Sequence, residues 1–339
     1  MNHLRPAAVL AGLLLLIGAV GFSGCAKNSP ASSPSPAPTS SDSRPTVNVA
    51  AIKGPTAVGM ADLMSENDAG TTKNNYNFIL AETPDEVVGK ISSGEVNIAS
   101  ISTNLAATLY QKTNQKVKIL AANTKGVLSM LENGGSIHTV ADLKGKTIYT
   151  FGQGANPEYV LRYVLGQNGL DPDKDVTIQF VADSDTLVAA IAAGTATVAM
   201  VPEPAASAAI AKTPGLRVAF SMNSAWDALN NGSGLLMGCV IVRSDYLAAN
   251  PGAVTDFLSE YEQSINSGLS DVDNTASLCV KYSIIPTEAL AKAAIPGCNL
   301  TFLTGAGMKQ ELQGYLQVLY DAAPASVGGK LPDDGFYYS

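Results

Sequence analysis

Apolar residues recur at helical spacing at Val87, Val88 and Ile91 and stop at Gly94, and one hundred residues later Leu187, Val188 and Ile191 do the same and stop at Gly194. Positions i, i+1 and i+4 share one helix face, and a glycine can end such a helix in the left-handed conformation. Behind each glycine the pattern changes to alternation, Val96 and Ile98 in one copy and Ala196 and Val198 in the other, which predicts a short strand. A turn follows, Ser102-Thr103-Asn104 or Pro202-Glu203-Pro204, and then an alanine-rich helix. Identical residues at the same offset include Gly54 and Gly154, Ala99 and Ala199, and Ala106 and Ala206. The period is too long for a solenoid unit. The matched order of elements predicts two similar α/β lobes.

The remaining pattern fills in both lobes. An apolar strand is predicted over residues 47–52, followed by Lys53-Gly54-Pro55-Thr56 and a helix through Met64, where proline in the first turn needs no backbone donor. Strands over 77–81 and 117–121 follow, and the chain is expected to cross over after Asn133-Gly134-Gly135. A second opening strand over 147–151 leads into Gly152-Gln153-Gly154-Ala155-Asn156-Pro157-Glu158, in which Asn156 reads as a helix N-cap. A polar segment over 221–234 holds the only tryptophan, and an apolar strand over 235–242 should re-enter the first lobe ahead of helices running from about residue 251. The fold class expected is α/β: two similar lobes joined by two crossing segments, near 135–139 and 234–239, that form a hinge. Lobe one comprises residues 46–137 plus 237–339 and lobe two residues 138–236.

The N-terminus bears on location. Arg5 precedes an apolar run over residues 7–20 that is short for a membrane span and reads as an export signal. It closes on Phe22-Ser23-Gly24-Cys25, which resembles a bacterial lipobox with phenylalanine in place of the usual leucine, so residues 1–25 are expected to be a lipoprotein signal ending in a lipidated Cys25. Residues 26–45 are Pro/Ser-rich without apolar periodicity and read as a tether. About twenty residues of such coil span roughly 25 Å.

Without the leader's Arg5, 20 basic residues face 29 acidic ones. That balance argues against nucleic acid and against direct binding to anionic lipid. A membrane contact is expected through the lipid anchor alone. Besides Cys25 the chain has Cys239, in an apolar strand, and Cys279 and Cys298, which an exported protein can join or leave as buried thiols.

Ligands of open α/β sheets bind beyond the carboxyl ends of strands, beside helix N-termini. Two facing lobes would bring four turns together: Gly54, Pro55 and Thr56 with Ser102, Thr103 and Asn104 from lobe one, and Gln153, Gly154, Ala155 and Asn156 with Glu203 from lobe two. Trp226 and Met237 can supply an apolar wall, or Trp226 can pack the hinge. The Gly-x-Gly at Gly152 and Gly154 lacks the third glycine of a dinucleotide fingerprint and reads as a loop approaching a ligand or as an ordinary turn. Helix N-termini favour anions, whereas Glu203 disfavours a bare one. A zwitterion or an amine-bearing heterocycle satisfies both, unless the Glu203 carboxylate turns back to its own helix. With only His3 and His138, and no Cys-x-x-Cys, HExxH or P-loop pattern, neither catalytic residues, a metal nor a cofactor is expected.

Asp142-Leu143-Lys144-Gly145-Lys146 before a strand, the glycine-rich turn into a helix, Ala193 to Ala199 as Ala-Gly-x-x-x-Val-Ala, and Pro202-Glu203-Pro204 together resemble the nitrate, sulfonate and thiamine-precursor class of ABC-importer solute-binding proteins, over residues 47–319. The resemblance implies a type II periplasmic-binding-protein fold closing over one small molecule. It further implies a monomeric, extracytoplasmic protein that delivers a zwitterion, a sulfonate or a thiamine-precursor-like heterocycle to permease and ATPase subunits. An extracytoplasmic enzyme on the same fold and a sensory ligand-binding lipoprotein remain the alternatives. Relatives that make a thiamine pyrimidine carry a cysteine-rich motif with no match here.

Overall fold

The computed structural model describes residues 44–338; the expected leader, Cys25 and the tether up to residue 43 lie outside them. Among the described residues eleven strands form two mixed sheets. The first contains β1 (Thr46–Ile52), β2 (Asn75–Ala81), β3 (Ile98–Ser102), β4 (Val117–Thr124), β10 (Gly238–Arg243) and β11 (Leu300–Leu303). The second contains β5 (Leu128–Asn133), β6 (Thr147–Phe151), β7 (Thr177–Val181), β8 (Val198–Pro202) and β9 (Leu216–Ser221). Their orders, β11-β4-β10-β3-β1-β2 and β7-β6-β8-β5-β9, follow one plan. In each, two strands pair in parallel with a central one, β1 or β6, and a strand arriving from the other sheet's part of the chain, β10 or β5, runs antiparallel beside β3 or β8.

The repeat seen in the sequence is the repeat of the fold, since β3 and β8 stand one hundred residues apart. The helix Pro84–Ser93 begins with the Thr83 side chain accepting from the Glu86 amide and stops at Gly94, whose φ of 89° is left-handed. Ser184–Ala192 begins with Asp183 in the same role, and Gly194 also has positive φ, 74°. Strands buried on both faces read as nearly continuous apolar runs, as in Ile98-Ala99-Ser100-Ile101, none of them exposed.

The first crossing lies earlier than the expected 135–139. Leu128–Asn133, assigned from sequence to lobe one, pairs with β8 and β9, so the chain changes sheet between Thr124 and Leu128. The reason is a three-residue connection, Lys125-Gly126-Val127, held from both sides: Asn223 accepts from the Gly126 amide at 3.2 Å, and Asn299 donates to the Gly126 carbonyl at 2.5 Å. A Cβ on Gly126 would sit 2.5 Å from the Leu235 side chain, so this crossing packs directly against the returning one. The return runs between Ser221 and Gly238, and its strand starts at Gly238 rather than at residue 235.

One apolar cluster is continuous through the junction, taking in Ile119 and Ala122 of β4, Leu128 and Met130 of β5, Val160, Trp226 and Tyr315. The helix Gly305–Ala322 packs against Asn156–Gln167, so C-terminal chain buttresses the second sheet's side. A second cluster covers the other face of the first sheet with Val254, Phe257, Tyr261 and Ile265 of Pro251–Ser270. Cys239, Cys279 and Cys298 are buried free thiols, with no bridge between the last two.

Near the C-terminal end of β5, Glu132 is 4% exposed and pairs with Arg217 at 2.6 Å. Burial pulls its carboxyl upward, but the Ser136 hydroxyl and amide, the Ile137 amide and Arg217 outweigh that and hold it at about 2, below the ordinary 4.5. A carboxyl depressed in the folded state contributes stability that is complete above its unfolded value and lost as pH falls through the folded one. Stability is therefore expected to decline between about pH 4.5 and about pH 2. Glu132→Gln should flatten that decline, and Arg217→Ala should cost about 1.5–3 kcal/mol at neutral pH in urea unfolding. Identical acid slopes for wild type and Glu132→Gln would count against this account.

Candidate functional site

The turns beyond β1 and β3 face those beyond β6 and β8. Asn104, in the first turn of Thr103–Lys112, accepts a hydrogen bond from the Asn156 amide at 2.8 Å, which joins the β3 side to the β6 side. On the other diagonal Gly54, beyond β1, and Pro204, beyond β8, line one cavity of ≈ 500 Å³ with Lys53, Val280, Ile284 and Pro286. The pairings β3 with β6 and β1 with β8 interchange under the internal repeat. The site therefore straddles a pseudo-two-fold axis between the sheets.

Asn156 departs from the expected helix cap. Ala155 is the N-cap residue, Asn156 is the first helical residue, and its side chain reaches across to Asn104 instead. It is 9% exposed, and its Oδ1 is buried without a partner. Two helices of ten and twelve residues thus aim their N-terminal turns at one point, and although Met237 takes the Thr103 amide and Pro157 has none, the macrodipoles give that point a positive potential.

Glu203 lies at the other end. It is 7% exposed, its amide bonds to the Val127 carbonyl at 3.0 Å, and its carboxylate accepts from the Ser207 amide at 3.2 Å. The carboxylate rests against Gly297 of the first lobe: a Cβ there would stand 2.7 Å from Oε1. Burial pushes the carboxyl up, and the Ser207 contacts only partly offset it. No ion pair involves Glu203 among the described residues. The same carboxylate helps raise the thiol of Cys298, although burial is the larger cause.

The other expected residues divide. Gly54 holds φ of 102°, a conformation that favours glycine, and its carbonyl receives the Ala57 and Val58 amides, so the β1 turn is tightly wound. Pro55 opens the short helix behind it, and the Thr56 hydroxyl donates to Ile52. Ser102 is half-buried at the head of its helix and makes no capping bond with its side chain. Thr103 is fully buried and donates to the Leu236 carbonyl at 2.6 Å, so it ties this turn to the returning crossing. Gln153, Gly154 and Ala155 are exposed, and the Gly154 amide is taken by Glu158 at 2.7 Å rather than offered to a ligand. Met237 is half-buried, its carbonyl receiving the Thr103 amide.

Trp226 is no cleft wall. It is 0% exposed, packs between Tyr163 and Tyr315 at 4.8 and 5.7 Å, and donates its indole N–H to Ser233.

Sequence reading missed the support beneath the β1 turn. The Ser100 hydroxyl donates to the Thr56 carbonyl at 2.6 Å, and the Asn123 amide donates to Ser100 at 2.7 Å and to the Tyr261 hydroxyl at 2.8 Å. All three residues are buried, and burial pushes the Tyr261 hydroxyl far up, so it stays protonated. The available signal was a polar residue inside an apolar strand, Ser100 in β3 and Asn123 in β4, because a buried polar group needs a partner.

Residues 60–263 match the family described as "ABC transporter, phosphonate, periplasmic substrate-binding protein". Among curated proteins nothing matches the sequence significantly. Among solved structures, an ABC transporter protein from Parabacteroides distasonis superposes with a TM-score of 0.73 at 22% identity, over 87% of this chain and 99% of that one. The periplasmic aliphatic sulphonate binding protein of Escherichia coli gives 0.68 at 16% identity, over 88% and 93%. The periplasmic nitrate-binding protein of Synechocystis PCC 6803 gives 0.56 at 14% identity, over 84% of each chain. At these identities the likeness is one of fold.

Proposed function

Because the chain belongs to the phosphonate periplasmic substrate-binding family of ABC transporters, whose members bind solutes rather than transform them, we propose that it captures a small zwitterionic organic acid between its two lobes and hands it to the permease and ATPase of an importer. The observation that carries this reading is the split polarity of the interlobe contact. Two helix N-termini converge at Asn104 and Asn156, where their dipoles would favour a phosphonate or sulfonate. Glu203, buried and without a cation, faces the first lobe at the other end, where an ammonium group would neutralise it. A bare nitrate or sulfate would serve the first end only. The protein acts as a monomer held to the outer face of the cell membrane by a lipid on Cys25. Lobe one is residues 46–124 plus 238–339 and lobe two residues 128–221, joined by the crossings at 125–127 and 222–237.

The test is calorimetry with an aminoalkylphosphonate, the same phosphonate without its amine, and nitrate. The aminophosphonate is expected to bind at least about tenfold more tightly than its amine-free counterpart, the worth of one charge-assisted hydrogen bond. Closure over a ligand that touches both lobes should also make the particle more compact in X-ray scattering. Equal affinity for the two phosphonates, or preference for nitrate, would sink the zwitterion reading.

A further inference from the structure

A second cavity, ≈ 770 Å³, opens at the end of the first sheet away from the interlobe turns, where Lys112, Thr113, Asn114, Lys116, Arg243 and Ser244 line it. Its charge opposes that of the whole chain, which is −8. Lys112 and Lys116 are exposed and form no ion pair among the described residues. Arg243 is partly buried, pairs with Asp245, and occupies space that Gly94 leaves open: a Cβ there would lie 2.6 Å from Nη1. One carboxylate thus faces three cations. The Thr113 and Ser244 hydroxyls donate to the Leu109 and Gln115 carbonyls and so offer acceptors to a ligand's hydroxyls, while the Asn114 amide adds a neutral donor. The last turn of Thr103–Lys112 also ends here, and Lys112 offsets its carbonyls, so an anion would be held by side chains and not by helix amides.

The position of this cavity gives it a partner. Arg243 pairs with Val117 across the strands, its amide bonds to the Asn97 carbonyl, and the Asn97 amide bonds to Asn48 of β1. That row places the start of β1 about two strand spacings, roughly 10 Å, from the cavity. Tyr246, two residues beyond Ser244, donates to the Thr46 carbonyl at 3.4 Å. The described chain therefore begins beside the basic cavity.

We infer that this cavity is a headgroup site for anionic phospholipid, in which Lys112, Lys116 and Arg243 receive the phosphodiester and the hydroxyl side chains receive the glycerol. The inference rests on the reading of Cys25 as a lipid anchor. Two or three cations bind a membrane weakly on their own, but a tether of about twenty residues raises the local concentration of headgroups enough for such a contact to orient the body. It also revises the expectation from overall charge, because the potential within a Debye length is set by local groups.

The full chain is mixed with phosphatidylcholine vesicles, with or without phosphatidylglycerol, and read by flotation and by amide hydrogen exchange. Residues 113–117 and 244–246 should exchange about tenfold more slowly when phosphatidylglycerol is present, and the Lys112→Glu, Lys116→Glu double variant, altered only at exposed positions, should lose that protection. Equal exchange on both vesicles overturns the proposal. The same protection from millimolar inorganic phosphate over phosphatidylcholine, with none added by phosphatidylglycerol, also overturns it and assigns a soluble phosphate instead. Flotation reads the anchor separately: a chain that floats only with phosphatidylglycerol loses the anchor reading and keeps the headgroup site.

Discussion

Trp226→Ala is expected to destabilise the protein by about 3–5 kcal/mol, the range for removing a fully buried large aromatic side chain. Nothing of Trp226 is exposed, and its ring lies between Tyr163 of the helix Asn156–Gln167 and Tyr315 of the helix Gly305–Ala322. Those helices come from opposite sides of the crossings, so the loss falls at the junction of the lobes. Part of it is the aromatic geometry, about 0.5–1.5 kcal/mol for such a pair beyond area burial. Part is the Ser233 carbonyl and hydroxyl, which lose their donor. Denaturant unfolding measures the cost, and a loss below about 1 kcal/mol would show that the junction does not depend on this ring. Trp226→Phe separates packing from ligand contact: it keeps most of the apolar volume, and solute affinity should be unchanged, whereas a tenfold weaker affinity with stability retained would return Trp226 to the cleft wall.

Glu203→Gln is expected to weaken binding of an amine-bearing solute by about 1.5–3 kcal/mol, tenfold or more, because it removes the charge from a desolvated hydrogen bond. The same change should help the unliganded protein. Burial raises the Glu203 carboxyl in the folded state above its ordinary 4.5. A raised acid binds its proton more tightly when folded, so the unliganded protein is at its best at low pH in this respect and loses stability as pH rises from the ordinary value through the folded one. Glu203→Gln should abolish that loss, and saturating solute should abolish it in the wild type by supplying the missing cation. If affinity instead stays level or improves, Glu203 does not hold an amine, and a simple anion becomes the solute. Gln at this position preserves the contact with Gly297, where any larger residue would drive a Cβ into the carboxylate, so the variant tests charge rather than packing.

Much of this fold was legible because its signals are local. The helix stops at Gly94 and Gly194 and the strands of the repeat depend on residues within a dozen positions of one another, and β6 lies at Thr147–Phe151 where alternation places it. β5 shows where local signals end. Leu128–Asn133 follows β4 after three residues, a separation that suits a neighbour in the same sheet, yet it joins the other one. Only the contact of Gly126 with Leu235, far along the chain, and the clamps from Asn223 and Asn299 decide the direction in which the chain leaves.

The candidate site divides along the same line. Its anchors, Gly54, Asn104, Asn156 and Glu203, stand in turns at strand ends, which hydrophobic periodicity locates without reference to the rest of the chain. What each side chain does there was not legible. Asn156 followed by proline and glutamate carries every local mark of a cap, but Asn104 from the other lobe takes its side-chain amide, and the helix begins at Asn156 itself, one residue earlier than a cap there would place it. Thr103 and Trp226 have the chemistry of cleft residues and are consumed by Leu236 and Ser233. The sequence by itself determined two α/β lobes, their repeat and the turns that face each other, because periodicity and glycine act over one or two turns of chain. The tertiary structure alone decided which polar groups remain free to meet a solute, since a hydrogen bond is spent by whichever partner arrives, and for Thr103 and Asn156 the partners, Leu236 and Asn104, arrive from distant parts of the chain.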